Sequence, residues 1–168
     1  MHDVPGAPDG ARQLPVKPLK KGPSLKARAI AFLSRREHSR LELERKLAQY
    51  ADTPNDLEQL LNQLERENWL SNERFAQALV HRRAPLQGTT RIVQELKQHG
   101  LADTRIAALR EQLRSTELER ARVVWQKKFG QRAESAKDYA RQFRFLASRG
   151  FSSDCLRRIL GEFDDTRY

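Results

Sequence analysis

The chain is short of cysteine, of β-branched residues and of long apolar runs. Its single cysteine, Cys155, cannot close an internal disulfide. With no signal peptide and no run near the ~18 apolar residues of a membrane helix, the expectation is a soluble, cytoplasmic protein that touches no membrane. Ile and Val together number 10 against 22 Leu, which disfavours strands and excludes sandwiches, barrels and parallel α/β folds. Phosphate-cradling glycine loops, G-x-S-x-G elbows and H-E-x-x-H motifs are all missing. His2, His38, His81 and His99 have no ligand-like spacing to one another or to Cys155. Asp164 and Asp165 solvate a terminus. No catalytic residue, metal or cofactor is therefore expected, and the chain reads as a non-enzyme.

What is present is helical and basic. Apolar residues make up 38% of the 168 positions, below the usual ~45–50%, so several small cores in series are favoured over one spherical core. Lys and Arg outnumber Asp and Glu by 32 to 22, a net charge of +10, which draws polyanions through the summed field. Arg exceeds Lys by 23 to 9, and the planar guanidinium fork suits bidentate contact with carboxylates or phosphates.

Residues 1–23 hold five of the seven prolines and three of the eight glycines and read as a disordered basic tail. From Ser24 onward apolar residues recur at helical spacing. Ser39 with Glu42 and Thr116 with Glu119 fit the capping box. Thr53 precedes Pro54, and Ser71, Ser135 and Ser152 each precede an acidic residue by at most three positions. Gly100, Gly130, Gly150 and Gly161 stand where helices should stop, Gly100 and Gly150 as left-handed caps.

An internal repeat organises these signals. Leu96, Gly100, Leu101, Ile106, Leu109 and Leu113 recur 50 residues later as Leu146, Gly150, Phe151, Leu156, Ile159 and Phe163. A degenerate earlier copy, Leu47, Ala51, Asp52, Leu57, Leu60 and Leu64, lacks the glycine, so its turn should differ. Upstream of each block lies another amphipathic helix ending in a basic pair: Arg35 and Arg36, Arg82 and Arg83, Lys127 and Lys128. The prediction is an all-α fold: three tandem three-helix repeats over 24–70, 71–114 and 115–163, with a short C-terminal end to 168. About nine helices, mostly ~10–15 residues long, would form an elongated, curved array.

The charge is uneven along this array. Residues 24–70 are neutral, whereas 71–115 and 116–168 each carry +4, so an anionic partner should meet the last two thirds. Arg74, Arg82, Arg83, Arg91, Lys97, Arg141, Arg144 and Arg149 are the candidate partner-facing residues. Leu96, Gly100, Leu101, Ile106, Leu146, Gly150, Phe151 and Leu156 are the candidate repeat core. Phe75 and Trp125 fall on apolar faces and should pack inward rather than stack on bases. Phe143 and Phe145 are split between faces, leaving one a candidate for exposure, and Cys155 should be buried as a small hydrophobe.

Four runs in order, residues 36–47 (REHSRLELERKL), 72–76 (NERFA), 88–96 (GTTRIVQEL) and 144–151 (RFLASRGF), resemble the RecX regulatory protein family of bacteria over about residues 24–163. The sequence departs from that family's usual Asp at Asn72, and from its second glycine or proline after Gly88, where Thr89 and Thr90 stand. The resemblance implies a tandem three-helix protein that binds the RecA recombinase filament on single-stranded DNA and restrains it. That role touches recombination, DNA repair and the SOS response, with direct DNA contact left open. A monomer is expected. The rival reading is an autonomous DNA-binding protein, since Arg91 to Leu113 has the outline of a helix-turn-helix. The same outline returns at Arg141 to Phe163, which suits a structural repeat better than a unique recognition helix.

Overall fold

The computed structural model describes residues 22–161. Gly22 and Pro23 aside, the tail expected over 1–23 lies outside them, as do Phe163, Asp164 and Asp165. The described residues are all-helical: α1 Leu25–Leu33, α2 Arg40–Leu47, α3 Pro54–Arg66, α4 Asn72–Arg83, α5 Thr89–Gln98, α6 Asp103–Lys128, α7 Ala136–Ser148 and α8 Ser153–Leu160, with a 3-10 turn at Ala48–Tyr50.

Three separate apolar cores lie in series. The first gathers Ala29, Leu43, Leu47, Leu57, Leu60, Leu61, Leu64 and Leu70 from α1 to α3. A second joins Phe75, Ala76 and Leu79 of α4 and Ile92, Val93 and Leu96 of α5 to Leu101, Ile106, Leu109 and Leu113. Ala121 and Val124 of α6 form a third core with Leu146, Phe151, Cys155 and Leu156. Each core is fed by i, i+3, i+4 spacing, as in Leu57, Leu60, Leu61 and Leu64 of α3. Hydrogen bonds and ion pairs tie the first unit to the second and the second to the third.

The described residues form eight α-helices where about nine were expected. The cause is α6, 26 residues long and so about 39 Å, whose first half enters the second core and whose second half enters the third. Thr116 does not cap a helix. Residues 113–119 contain neither Gly nor Pro to break the helix, and the Ser115 and Thr116 hydroxyls donate back to the carbonyls of Gln112 and Leu113. Glu119 pairs with Arg122 instead of closing a capping box.

Most other helix starts match the sequence signals. Side-chain oxygens of Ser39, Thr53, Ser71 and Ser135 accept from the backbone N–H groups of Glu42, Asp56, Arg74 and Asp138. Ser152 is the exception, and its hydroxyl is drawn elsewhere. Gly100, Gly130, Gly150 and Gly161 all have positive φ. At the first copy's turn Ala51 is extended and a 3-10 segment precedes it, since a Cβ disfavours the left-handed cap. Phe75 is buried, and Trp125 packs on the third core while its indole N–H donates to Gln142 Oε1 at 2.8 Å. Neither Phe143 nor Phe145 is exposed; both are half-buried against that core. No described helix is long and apolar enough to cross a membrane.

Candidate functional site

The two joints between units follow one plan. In each, the start of a unit's middle helix rests on the turn after the next unit's middle helix. Ser39 Oγ lies 3.2 Å from His99 Nδ1, and Leu41 packs beside Gly100. At the second joint the Gly88 N–H donates to Arg149 O at 2.9 Å, Thr90 N–H to Gly150 O at 3.3 Å, and the Arg91 guanidinium to Ser148 O at 2.7 Å.

The next unit's first helix also returns a side chain to the free N–H groups of the middle helix. Asn72 Oδ1 accepts from Arg40 N–H at 2.8 Å, and Glu117 Oε1 accepts from Thr89 N–H at 2.7 Å. The second Glu117 oxygen takes the Ser152 hydroxyl at 2.8 Å, so one buried carboxylate binds α5, α6 and the start of α8 together. Asn72 does with an amide oxygen what an aspartate would do there. Arg120 closes the same joint by donating to the carbonyls of Ala84, Gln87 and Leu113.

A groove of about 640 Å³ opens over the second joint, lined by Arg83, Arg91, Gln94, Gln98 and Ser148 among others. Of the candidate basic residues, only Arg83 and Arg91 line it. Arg83 is neutralised by Glu95 at 2.9 Å, and exposed Arg82 precedes it at the end of α4. Arg144 is exposed on α7, while the Arg149 guanidinium lies 5.0 Å from the Phe145 ring centre. Arg141 pairs with Asp138 at 2.5 Å and stands 5.6 Å from the Phe129 ring centre. Lys97 faces a second cleft on the other flank of α5. Arg74 is spent inside the first joint, on Glu37 Oε1 at 2.7 Å and on the carbonyls of Asn68 and Trp69. The repeat-core residues Leu96, Leu101, Ile106, Leu146, Phe151 and Leu156 are all buried, with Gly100 and Gly150 at the paired turns.

Comparison with known proteins settles the family. The family models described as RecX, second three-helix domain, and RecX, third three-helix domain, match residues 71–109 and 115–160. The regulatory protein RecX of Ralstonia nicotianae is 50% identical over 147 residues, covering 88% of this chain and 90% of that protein. The chain belongs to the RecX family. Among other family members, the regulatory protein RecX of Leptothrix cholodnii is 48% identical over 82% of this chain and 87% of its own. Neisseria gonorrhoeae RecX is 39% identical over 84% of this chain and 92% of its own. The crystal structure of RecX from Lactobacillus salivarius has a TM-score of 0.66 at 19% identity, covering 80% of this chain and 91% of that one, and shares the RecX fold.

The RecX joints rest on residues that local sequence patterns did not single out. Glu117 and Arg120 sit on an unbroken helix with partners 28 to 36 positions away, and Gly88 has an ordinary φ of −77°, so neither spacing nor backbone conformation marks them. In the sequence Asn72 stands out only through the RecX resemblance, as a departure from its usual Asp, and not through its partner on α2.

Proposed function

We propose that this chain binds the RecA recombinase filament assembled on single-stranded DNA and inhibits its activity, as a cytoplasmic monomer in recombination, DNA repair and the SOS response. The observation that carries this reading is the 50% identity, across nine tenths of both chains, to a protein named as a RecX regulator. The physical arrangement agrees with it. A nucleoprotein filament presents a repeating groove that bears a polyanion, and a basic series of helical units can span neighbouring subunits of such a groove. Blocking it needs shape and charge, with no catalytic group. In this reading the units 24–70, 71–114 and 115–163 act as successive contact modules, and the excess charge of the last two faces the filament through Arg82, Arg91 and Arg144.

Co-sedimentation with RecA filaments on single-stranded DNA tests the proposal. The full chain should pellet only with filament, and Arg82→Ala, Arg91→Ala and Arg144→Ala together should weaken pelleting. The matching triple Arg35→Ala, Arg45→Ala and Arg66→Ala in the neutral first unit should not. Binding should fall as salt rises, because charged contacts are screened. Tight, sequence-specific binding to duplex DNA without recombinase would instead establish the autonomous DNA-binding reading.

A further inference from the structure

On the flank of α5 away from Arg83 and Arg91, a cleft of about 460 Å³ is bounded by α5, α6 and the turn before α8. Thr90 and Gln94 form the ridge that separates it from the groove, since both line the two spaces. Lys97, Arg110 and Arg114 line the cleft, and none of the three has a carboxylate or hydrogen-bonding side-chain partner among the described residues. Within the same unit Arg83 and Arg105 are each neutralised by a glutamate, whereas Lys97, Arg110 and Arg114 are left with their full charge around one cleft. The one acid of the cleft, Glu117, has both oxygens engaged by donors from the walls.

Against the single Glu117 carboxylate, Lys97, Arg110 and Arg114 leave the concavity with an excess of positive charge that favours an added anion. Two guanidinium forks and an ammonium match tetrahedral phosphate oxygens, the forks bidentately and the lysine as a point charge. Thr90 and Gln94 add neutral donors at the rim. The volume lies within the ~300–1,000 Å³ of small-molecule sites, room for several linked phosphates. We propose that this cleft is a polyphosphate-binding site in which Lys97, Arg110 and Arg114 hold the phosphate oxygens. The phosphate chain comes from a free nucleotide or from successive phosphates of a single strand. The site does not depend on the recombinase reading. Because Glu117 ties α5, α6 and the α8 turn together at the floor, a ligand here stabilises the second joint and raises the melting temperature by mass action.

The test is calorimetric titration and thermal melting of the full chain with sodium tripolyphosphate, ATP and a short oligothymidylate at low salt. Saturable binding of at least one probe is expected. Lys97→Ala, Arg110→Ala and Arg114→Ala together should weaken it about tenfold or more, as loss of charge-assisted hydrogen bonds does. The triple Arg35→Ala, Arg45→Ala and Arg66→Ala should change it less than about twofold, being remote and equal in charge. Loss confined to tripolyphosphate and ATP identifies a free nucleotide, and loss confined to the oligonucleotide identifies a strand. Should the alanine triple unfold, Arg114→Gln alone reads out the same loss. Absence of saturable binding for all three probes, or equal weakening by both triples, overturns the proposal.

Discussion

Gly88 and Gly150 meet backbone to backbone across the second joint: a Cβ placed on Gly88 would lie 2.2 Å from the carbonyl carbon and oxygen of Gly150. Gly100 takes the place of Gly150 on the first joint, and a Cβ there would meet the flexible Leu41 side chain at 3.3 Å. Gly88→Ala therefore has to push two main chains apart, at the ~3 kcal/mol upper end of overpacking costs or beyond. Gly100→Ala carries left-handed strain but a yielding neighbour, at about 1 kcal/mol. Urea melts of the two variants should rank them in that order, and equal stability would remove the close approach as the reason for Gly88.

Glu117 leaves the buried Thr89 N–H stranded if it is shortened, and frees the Ser152 hydroxyl to water. Glu117→Ala removes the acceptor of the buried Thr89 N–H and of the Ser152 hydroxyl, and an unsatisfied buried group costs about 1–3 kcal/mol. Hydrogen exchange should speed at the first turns of α5 and α8 while α1 to α3 stay protected. Uniform loss of protection along the whole chain would show that the joint is not a separable element.

Acid should loosen the first unit before the others. His38 is buried, its Nδ1–H donates to Arg36 O at 2.9 Å, and Lys46 Nζ donates to its Nε2 at 3.0 Å. Burial holds its pKa below the ordinary imidazole value despite the neighbouring Glu42 carboxylate. Burial raises the pKa of Glu42, but hydrogen bonds from Arg36 and Lys46 outweigh it and bring the carboxyl down to about 2. Both folded pKa values lie below the unfolded ones, so each contribution is whole above the unfolded pKa and fades as pH falls. Stability should drop in two stages, from below ~6.5 for the histidine and from below ~4.3 toward 2 for the glutamate. Exchange at α1 and α2, corrected for intrinsic rate, should rise as pH falls below ~6.5, and His38→Gln should abolish that first stage. A flat profile there would contradict the buried neutral imidazole.

Cys155 lies in the third core, where burial pushes its thiol up to about 11. Reactivity follows the thiolate. At pH 8 the folded protein should resist iodoacetamide for hours, whereas protein unfolded in urea should react completely. Prompt labelling of the folded chain would mean that the third core opens readily.

Much of this architecture is written locally. Ser39, Thr53, Ser71 and Ser135 cap the helices they precede, and Gly100 and Gly150 recur with their apolar followers because each turn solves the same packing problem 50 residues apart. Thr116 misleads because Thr116 and Glu119 stand at capping-box spacing, while the absence of any breaker lets α6 continue through them. The joints are less legible. Asn72, Glu117 and Arg120 act on partners in other units, and Gly88 answers to a second backbone rather than to its own torsion angles. Arg110 and Arg114 likewise meet Lys97 only once α5 lies on α6.

RecA-catalysed ATP hydrolysis on single-stranded DNA, followed as this chain is titrated in, tests the central claim most directly. Filament restraint predicts hydrolysis falling progressively with added chain, and less steeply when Arg82, Arg91 and Arg144 are all alanine. Hydrolysis unchanged at a saturating excess of folded full-length chain would contradict it.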